Sequence, residues 1–283
     1  MAAVERLTYG GHQLVYETHG SGPRVTVLVH GLLLDAHLSR ALAMALAGSG
    51  AHQVVLLELL GHGRSDRPLD PSLHRIDSYA HQVVALLDHL QVDEAVIGGT
   101  SLGANVALQV AAAAPERVRG LIVEMPVLEW AGPAAAALFV PLLLGVRFGR
   151  PVAELVTAVV RRVPRTGFGQ LDTFLNAASM RPNEIAAVLH GIVIGPLAPR
   201  IDERRTIQAP SLIVGHRRDA LHPFNDAERL AEQLPNNRLI RARSAVELRT
   251  RPTRLTGEIR AFLDDVWRPQ VAGGRSAGSG ERR

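Results

Sequence analysis

The sequence of 283 residues contains neither cysteine nor lysine. Without cysteine the chain cannot form disulfides, thiolate zinc sites, iron–sulfur clusters or a cysteine nucleophile. Without lysine it cannot hold pyridoxal phosphate as a Schiff base or form such a base with a substrate. Any covalent chemistry must therefore use oxygen or imidazole nitrogen groups.

Signals for export, membrane insertion and nucleic-acid binding are also scarce. Residues 1–6 lack the apolar segment of a secretory signal, which predicts a cytoplasmic protein. The most apolar stretch, 134–146, is too short to span a bilayer, so a buried or interfacial helix is expected without stable membrane insertion. The formal net charge is +4, but the arginines are scattered and no DNA-binding motif accompanies them. We expect a small-molecule substrate and no nucleic acid as partners, and self-association into a homo-oligomer stays open.

Short apolar runs alternate with helical periodicity from residue 24 onward, which is typical of an α/β fold. A hairpin is predicted over 7–16, and the predicted buried strands are 24–29, 53–57, 95–98, 120–123, 211–214 and 238–241. The predicted helices are 38–47, 76–90, 102–114, 226–234 and 254–267. The pattern predicts one mostly parallel sheet with helices on both faces.

The alternation breaks once, between residues 128 and 208, where the pattern is helical with several prolines. We interpret 128–208 as an inserted helical cap over the carboxyl edge of the sheet, where α/β proteins hold their ligands. The core would then comprise 1–127 and 209–267, and the Gly-, Ser- and Arg-rich residues 268–283 would form a disordered tail. Apolar stretches of the cap, 134–139, 142–144 and 156–160, suggest a pocket for an acyl or alkyl group.

Ser101 lies in Gly99-Thr100-Ser101-Leu102-Gly103, between an apolar strand and a helix. In such a strand–turn–helix unit the glycines let the two backbones approach closely. The serine is then exposed on a strained turn at the positive end of the helix. This pattern predicts that Ser101 is a nucleophile.

A second strand ends in His30-Gly31-Leu32. The turn at Gly31 would place the backbone N–H of Leu32 opposite that of Leu102, and two such donors can bind an oxyanion. We interpret His30 as a hydrogen-bonding residue that supports this turn rather than as a base.

A third motif, Gly61-His62-Gly63-Arg64-Ser65, follows the next predicted strand. In their order and spacing the three motifs resemble the α/β-hydrolase superfamily, over about residues 6–267. The resemblance implies a cofactor-independent hydrolase and places the acid of a catalytic triad at Asp219. Glu58 departs from the aspartate that family members often carry before the third motif.

The triad histidine is missing from the place where the resemblance puts it. Family members carry it ahead of the last helix, about seven residues before a proline such as Pro252. Ala245 occupies that position, and no histidine follows His222 in the sequence. A serine without a base is a poor nucleophile near neutral pH, so a substitute is needed.

Several residues could repair this gap. His222, three residues after Asp219, could supply the imidazole, although it could equally be a loop residue that packs on its neighbours. Glu124 stands where this superfamily can also carry its acid and could orient that imidazole. His190 in the cap could reach down, although a polar helix face is its simpler interpretation. Glu247, near the vacated position, is the weakest candidate because a loop glutamate is usually solvated.

Two functions follow from this pattern. One is a serine hydrolase acting on an ester, thioester or lactone with an apolar acyl or alkyl part. The other is a non-hydrolytic protein of the same fold that binds a ligand or performs proton-transfer or lyase chemistry. Epoxide hydrolysis and dehalogenation are disfavoured, because that chemistry requires aspartate at the position of Ser101, while a perhydrolase cannot be separated from an esterase. No metal motif or phosphate-binding loop occurs in the sequence, so no cofactor and no metal are expected.

Overall fold

The computed structural model describes residues 3–216, 219 and 221–268. These residues contain one sheet of eight strands in the order β1-β2-β4-β3-β5-β6-β7-β8. The strands are β1 (Ala3–Tyr9), β2 (His12–His19), β3 (Arg24–Val29), β4 (His52–Glu58), β5 (Ala95–Thr100), β6 (Val118–Glu124), β7 (Ser211–His216) and β8 (Asn237–Ala242). β2 is antiparallel to both β1 and β4, and the other neighbouring strands are parallel.

Helices cover both faces of this sheet. The helices before β7 are α1 (Arg40–Ala47), α2 (Ile76–His89), α3 (Leu102–Ala113), α4 (Gly132–Phe148), α5 (Arg150–Val160), α6 (Gly169–Ala178), α7 (Pro182–Ile194) and α8 (Ile201–Thr206). Those after β7 are α9 (Phe224–Gln233), α10 (Glu247–Thr250) and α11 (Thr253–Val266). One hydrophobic core contains residues of α2, α3 and α9, and a second contains residues of α1 and α11. The predicted fold class is confirmed.

Successive residues of the central strands enter different cores. In β3, Val27 and Val29 belong to the core with α2 and α3, whereas Leu28 belongs to the core with α1 and α11. Side chains of a strand alternate between the faces of its sheet, so a strand covered on both sides is apolar throughout. This explains why the central strands appear in the sequence as continuous apolar runs.

Five helices, α4 to α8, lie between β6 and β7, where the helical insertion was predicted. The buried carboxylate of Asp226 in α9 holds the start of this insertion. It accepts the backbone N–H groups of Leu128, Trp130 and Ala131 at 2.8, 3.0 and 2.9 Å. The insertion is thereby tied to the sheet side of the molecule at the edge where β6 and β7 end.

Within the described residues, no single helix is both long and apolar enough to cross a membrane. α4 and α5 reach that length and hydropathy only when they are joined, and they are bent by 99° at the break between them. At the end of the described residues, Arg268 pairs with Asp265 at 2.7 Å. The rest of the predicted tail, 269–283, lies outside the described residues.

Candidate active site

Ser101 lies at the junction of β5 and α3, where the backbone turns sharply. Its φ of 55° and ψ of −111° are angles that residues other than glycine rarely adopt. A Cβ at Gly103 would overlap the carbonyl oxygen of Val29, so glycine is needed for α3 to approach β3 this closely. The Ser101 N–H donates to the Glu124 carbonyl at 2.9 Å, which holds the turn against β6. The half-buried Ser101 hydroxyl therefore sits at the carboxyl edge of the sheet.

His222 and Asp219 lie beside this serine, on the loop between β7 and α9. His222 Nε2 is 2.9 Å from Ser101 Oγ, and His222 Nδ1 is 3.0 Å from Asp219 Oδ2. A neutral imidazole that donates from Nδ1 to the carboxylate presents an unprotonated Nε2 to the serine hydroxyl. A general base oriented by an acid has this geometry. The imidazole thus reaches Ser101 from the loop after β7 instead of the loop after β8.

The neighbours of Asp219 keep its carboxylate ionised. Burial by itself would raise the pKa of Asp219, but His222 and the backbone N–H groups of Leu221 and His222 outweigh burial and lower it to about 2. Those two N–H groups donate to Oδ1 at 2.9 and 3.0 Å. Because Oδ1 is occupied by the main chain, Oδ2 is left for the imidazole, and the short loop sets the direction of the carboxylate.

Two backbone N–H groups are available next to Ser101. Leu32 and Leu102 line the same cavity as the serine. Neither of their N–H groups has a hydrogen-bond acceptor within the part of the chain that the structure describes. Leu102 is the first residue of α3, and a helix leaves its first N–H groups unpaired. A hydrogen bond of 3.0 Å from the Leu34 N–H to the Gly31 carbonyl stabilises the turn that carries Leu32.

His30 is buried beneath this turn, with both ring nitrogens engaged. Its Nδ1 donates to the Gly31 carbonyl at 2.9 Å, and its Nε2 accepts the Leu59 N–H at 3.2 Å. The His62 ring lies 4.7 Å away, and burial lowers the pKa of both histidines. Because no ring nitrogen of His30 is left for a substrate, these contacts agree with a structural role.

Glu124, at the end of β6, does not reach the His222 imidazole. Its carboxylate accepts hydrogen bonds from Arg249 at 2.6 and 3.2 Å and from Thr100 at 2.5 Å. It also lies 3.4 Å from His216 Nε2. Burial by itself would raise the pKa of Glu124, but Arg249 and His216 lower it to about 2. The expectation that Glu124 orients the imidazole is therefore corrected, because a buried cluster behind the serine already engages this carboxylate.

Two other candidates from the sequence also lie apart from the serine. His190 is exposed on α7 and lines a surface depression with Arg147 and Arg150. Glu247 is buried and accepts hydrogen bonds of 2.9 and 3.0 Å from the side chain of Arg254. The structure does not bring either side chain to Ser101, and no described residues form a cluster of three or more metal-ligating side chains.

The sequence did not point to Asn105 and Arg249, which both support the site. Asn105 Nδ2 donates to the carbonyls of Val127 and Leu197 at 2.7 Å each, so it ties the residue before the insertion and the segment after α7 to α3. Its place four residues after Ser101, on the same side of α3, was an available signal. Arg249 has no local signal, because the Thr100 hydroxyl that it contacts at 2.9 Å is 149 residues away in the chain.

A narrow cavity of about 50 Å³ adjoins Ser101, and most of the side chains around it are apolar. The insertion contributes Ala135 and Phe139 from α4 and Ile192 from α7. Only part of the apolar sequence expected to line a pocket does so among the described residues. Other large members of those stretches are exposed to solvent, namely Leu138, Leu142, Leu144, Val156 and Val159.

Comparison with known proteins gives one family match over most of the chain. The model of the family described as alpha/beta hydrolase fold matches residues 25–245. RutD of Azorhizobium caulinodans, named as a candidate carbamate hydrolase, is 31% identical over 239 residues, which cover 81% of this chain and 86% of RutD. The 2-hydroxy-6-oxononadienedioate/2-hydroxy-6-oxononatrienedioate hydrolase 2 of Pseudomonas putida is 30% identical over 243 residues, which cover 80% and 82%.

Solved structures resemble the whole described architecture. A thermophilic esterase from Thermogutta terrifontis has a TM-score of 0.73 at 24% identity, with 94% of this chain and 99% of the esterase covered. The enol-lactonase from Burkholderia xenovorans LB400 has a TM-score of 0.71 at 18% identity, with 92% and 99% covered. At these identities the likeness establishes the fold alone.

Proposed function

The chain belongs to the alpha/beta hydrolase fold family, and we propose that it is a serine hydrolase that cleaves an ester, thioester or lactone with an apolar acyl or alkyl part. The observation that carries this proposal is the continuous hydrogen-bonded series from Ser101 through His222 to Asp219, at 2.9 and 3.0 Å. His222 supplies the general base that family members carry at the position of Ala245.

The proposed reaction proceeds through an acyl-enzyme. Ser101 Oγ attacks the substrate carbonyl carbon while its proton moves to His222 Nε2. The N–H groups of Leu32 and Leu102 donate to the oxyanion, and Asp219 stabilises the imidazolium. His222 then passes the proton to the leaving alcohol or thiol. A water molecule, deprotonated by His222, attacks the acyl carbon, and the acid departs as Ser101 regains its proton.

The apolar part of the substrate is inferred from the cavity walls. Ala135, Phe139 and Ile192 place aliphatic and aromatic surface beside the serine, and such surface favours hydrocarbon groups over charged ones. The same three residues belong to the insertion, so we propose that residues 128–208 act as a cap on the site. The esterase and the lactonase that share the fold are compatible with this substrate class.

Fluorophosphonate labelling, combined with hydrolysis of p-nitrophenyl esters of increasing chain length, tests the proposal. We expect the probe to label Ser101, and we expect Ser101→Ala and His222→Gln to lower kcat by about 10⁴-fold or more. His190→Gln is the matched control, because this histidine is exposed and distant from the serine, and it should keep full activity. Hydrolysis that survives in Ser101→Ala would refute the covalent mechanism.

The non-hydrolytic alternative loses its main argument in this geometry. That alternative rested on the missing histidine ahead of the last helix, but His222 Nε2 lies within hydrogen-bonding distance of Ser101 Oγ. It would regain support if the protein bound an apolar ester tightly, yet neither turned it over nor reacted with the probe.

A further inference from the structure

The outer surface of α4 and α5 is unusually apolar. Val146 is the single buried side chain among the 17 residues of α4, and Thr157 is the single one among the 11 residues of α5. Phe148, at the junction of the two helices, is 76% exposed. Large apolar patches on a protein surface usually mark a place where a partner binds.

Helix α5 is amphipathic, but its apolar side faces solvent and its more polar side faces the protein. An exposed apolar stripe runs along it at helical spacing, formed by Val152, Leu155, Val156 and Val159. The opposite side of the helix is more polar and lines a depression with the start of α7 through Arg150, Glu154, Thr157 and Arg161. A surface helix of a soluble protein normally turns its apolar stripe inward. Within residues 3–216, 219 and 221–268, nothing covers the stripe on α5, so it is available to a partner.

The charge around this surface indicates what covers it. Residues 130–168 carry five arginines and a single carboxylate, Glu154, which pairs with Arg150 at 2.7 Å. Arg147 and Arg162 are exposed and have no acidic partner among the described residues. Exposed apolar side chains and exposed arginines within one helical segment suit the interface of a bilayer that contains anionic lipids. A second copy of the same face would bring like charges together, which disfavours self-association.

We propose that α4 and α5 dock this protein on anionic lipid bilayers. The stripe on α5 enters the boundary between headgroups and acyl chains, and Arg147 and Arg162 contact lipid phosphates. The 99° bend between the two helices prevents them from forming one straight span and suits a segment that lies in the interface. Ala135 and Phe139 on the inner side of α4 line the cavity beside Ser101, so docking through α4 and α5 would hold that cavity close to a bilayer in which an apolar ester dissolves. That last step rests on the proposed function, whereas docking does not.

Vesicle flotation with the full chain tests the docking. The probes are phosphatidylcholine vesicles with and without about 30 mol% phosphatidylglycerol, and we expect at least about tenfold tighter binding to the anionic ones, weakening as salt rises. Val152→Glu with Leu155→Glu should weaken binding by at least about tenfold, because two charges replace inserted apolar groups. Val4→Glu with Met44→Glu is the matched control, since Val4 and Met44 are 55% and 60% exposed, close to the 68% and 65% of the test pair.

Arginine substitutions measure the electrostatic part separately. Arg147→Gln with Arg162→Gln should lower affinity for anionic vesicles by about fivefold per arginine, whereas the exposed control pair Arg205→Gln with Arg251→Gln should change it less. Equal affinity for neutral and anionic vesicles would overturn the proposal. So would a dimer that the Val152→Glu/Leu155→Glu variant dissolves while no vesicle binds, because a second copy would then cover the face.

Hydrolysis of a short, water-soluble ester separates this proposal from the proposed function. The docking variants should keep that activity, because none of the substituted residues lines the cavity at Ser101. Loss of vesicle binding with intact hydrolysis supports docking through this face. Vesicle binding by a wild-type protein that hydrolyses nothing would uphold docking and refute the catalytic proposal.

Discussion

Replacing Arg249 with methionine should destabilise the folded protein by about 3 kcal/mol at pH 7, because it leaves a buried carboxylate without its cation. The side chains of Arg249 and Glu124 are 11% and 5% exposed and are joined at 2.6 Å. Methionine keeps much of the apolar stem of arginine, so the substitution mainly removes the charge and its hydrogen bonds.

The magnitude follows from the pKa of Glu124. Burial by itself would raise this pKa, but Arg249 and His216 lower it from an ordinary value of 4.5 to about 2. Each pKa unit corresponds to about 1.4 kcal/mol, so the shift corresponds to roughly 3 kcal/mol in favour of the ionised form. Removal of one partner from a buried ion pair typically costs about 3–5 kcal/mol, which agrees in order of magnitude.

The lowered pKa of Glu124 also determines how the stability of the folded protein changes with pH. A carboxylate whose pKa is lower in the folded state stabilises the protein above its ordinary pKa, and this stabilisation is lost as the pH falls toward the folded value. For Glu124 that interval runs from 4.5 down to about 2. Without Arg249 the pKa of Glu124 is higher than in the wild type, so the ionised carboxylate destabilises the folded state most at neutral pH. The loss caused by Arg249→Met should therefore be larger at pH 7 than at pH 4.

Urea unfolding followed by far-UV circular dichroism at both pH values measures these differences. Adding Glu124→Gln to Arg249→Met should recover part of the loss, because the stranded charge is gone. Arg229→Met is the control, because Arg229 and its partner Glu232 are 57% and 63% exposed and such exposed pairs contribute about 0–1 kcal/mol. A loss below about 1 kcal/mol at pH 7, or an equal loss at pH 4, would refute the reasoning.

Three further substitutions test other parts of the structure. Asp219→Asn should lower kcat/KM by about 10²–10⁴-fold in ester hydrolysis without changing the fold, whereas Glu247→Gln should keep most activity. Gly103→Ala should prevent folding or lower the free energy of unfolding in urea by several kcal/mol, because the added Cβ would overlap the Val29 carbonyl oxygen. Gly257→Ala is the control: a Cβ at this position in α11 has open space, and the substitution should stabilise the protein by about 1 kcal/mol. Asp226→Ala should cost about 3 kcal/mol or more and make the insertion sensitive to proteases, because three backbone N–H groups lose their acceptor.

Opposite outcomes would each contradict a specific structural statement. Full activity in Asp219→Asn would mean that another group orients His222. A stable Gly103→Ala protein would mean that α3 and β3 are farther apart than the structure has them. Unchanged proteolysis in Asp226→Ala would mean that the insertion is anchored elsewhere.

The fold was predictable because its signals are local. A strand covered on both faces is an apolar run, as in β4, and a helix covered on one face repeats its apolar residues at helical spacing, as in α2. The observed β3 has the predicted bounds, and β4 differs from its prediction by one residue at each end. The Ser101 turn was predictable for the same reason, since the glycines that its conformation needs are its sequence neighbours.

The insertion shows where local signals fail. Its apolar stretches have the composition of pocket-lining helices, and the sequence could not tell which side of α4 would face the cavity. In the structure, Ala135 and Phe139 face the cavity and Leu138 faces solvent. Helical periodicity identifies a stripe, but only packing against the rest of the chain decides whether that stripe is covered.

The sequence by itself determined a mostly parallel sheet, the succession of strands and helices along the chain, the serine at its turn, and the absence of a histidine after His222. The tertiary structure decided which side chains meet that serine. His222 lies 121 residues from Ser101 along the chain and reaches it because β5 and β7 end at the same edge of the sheet. Arg249 engages Glu124 across 125 residues, which leaves Asp219 to hold the imidazole. Such contacts depend on distances in the folded chain, and no spacing in the sequence encodes them.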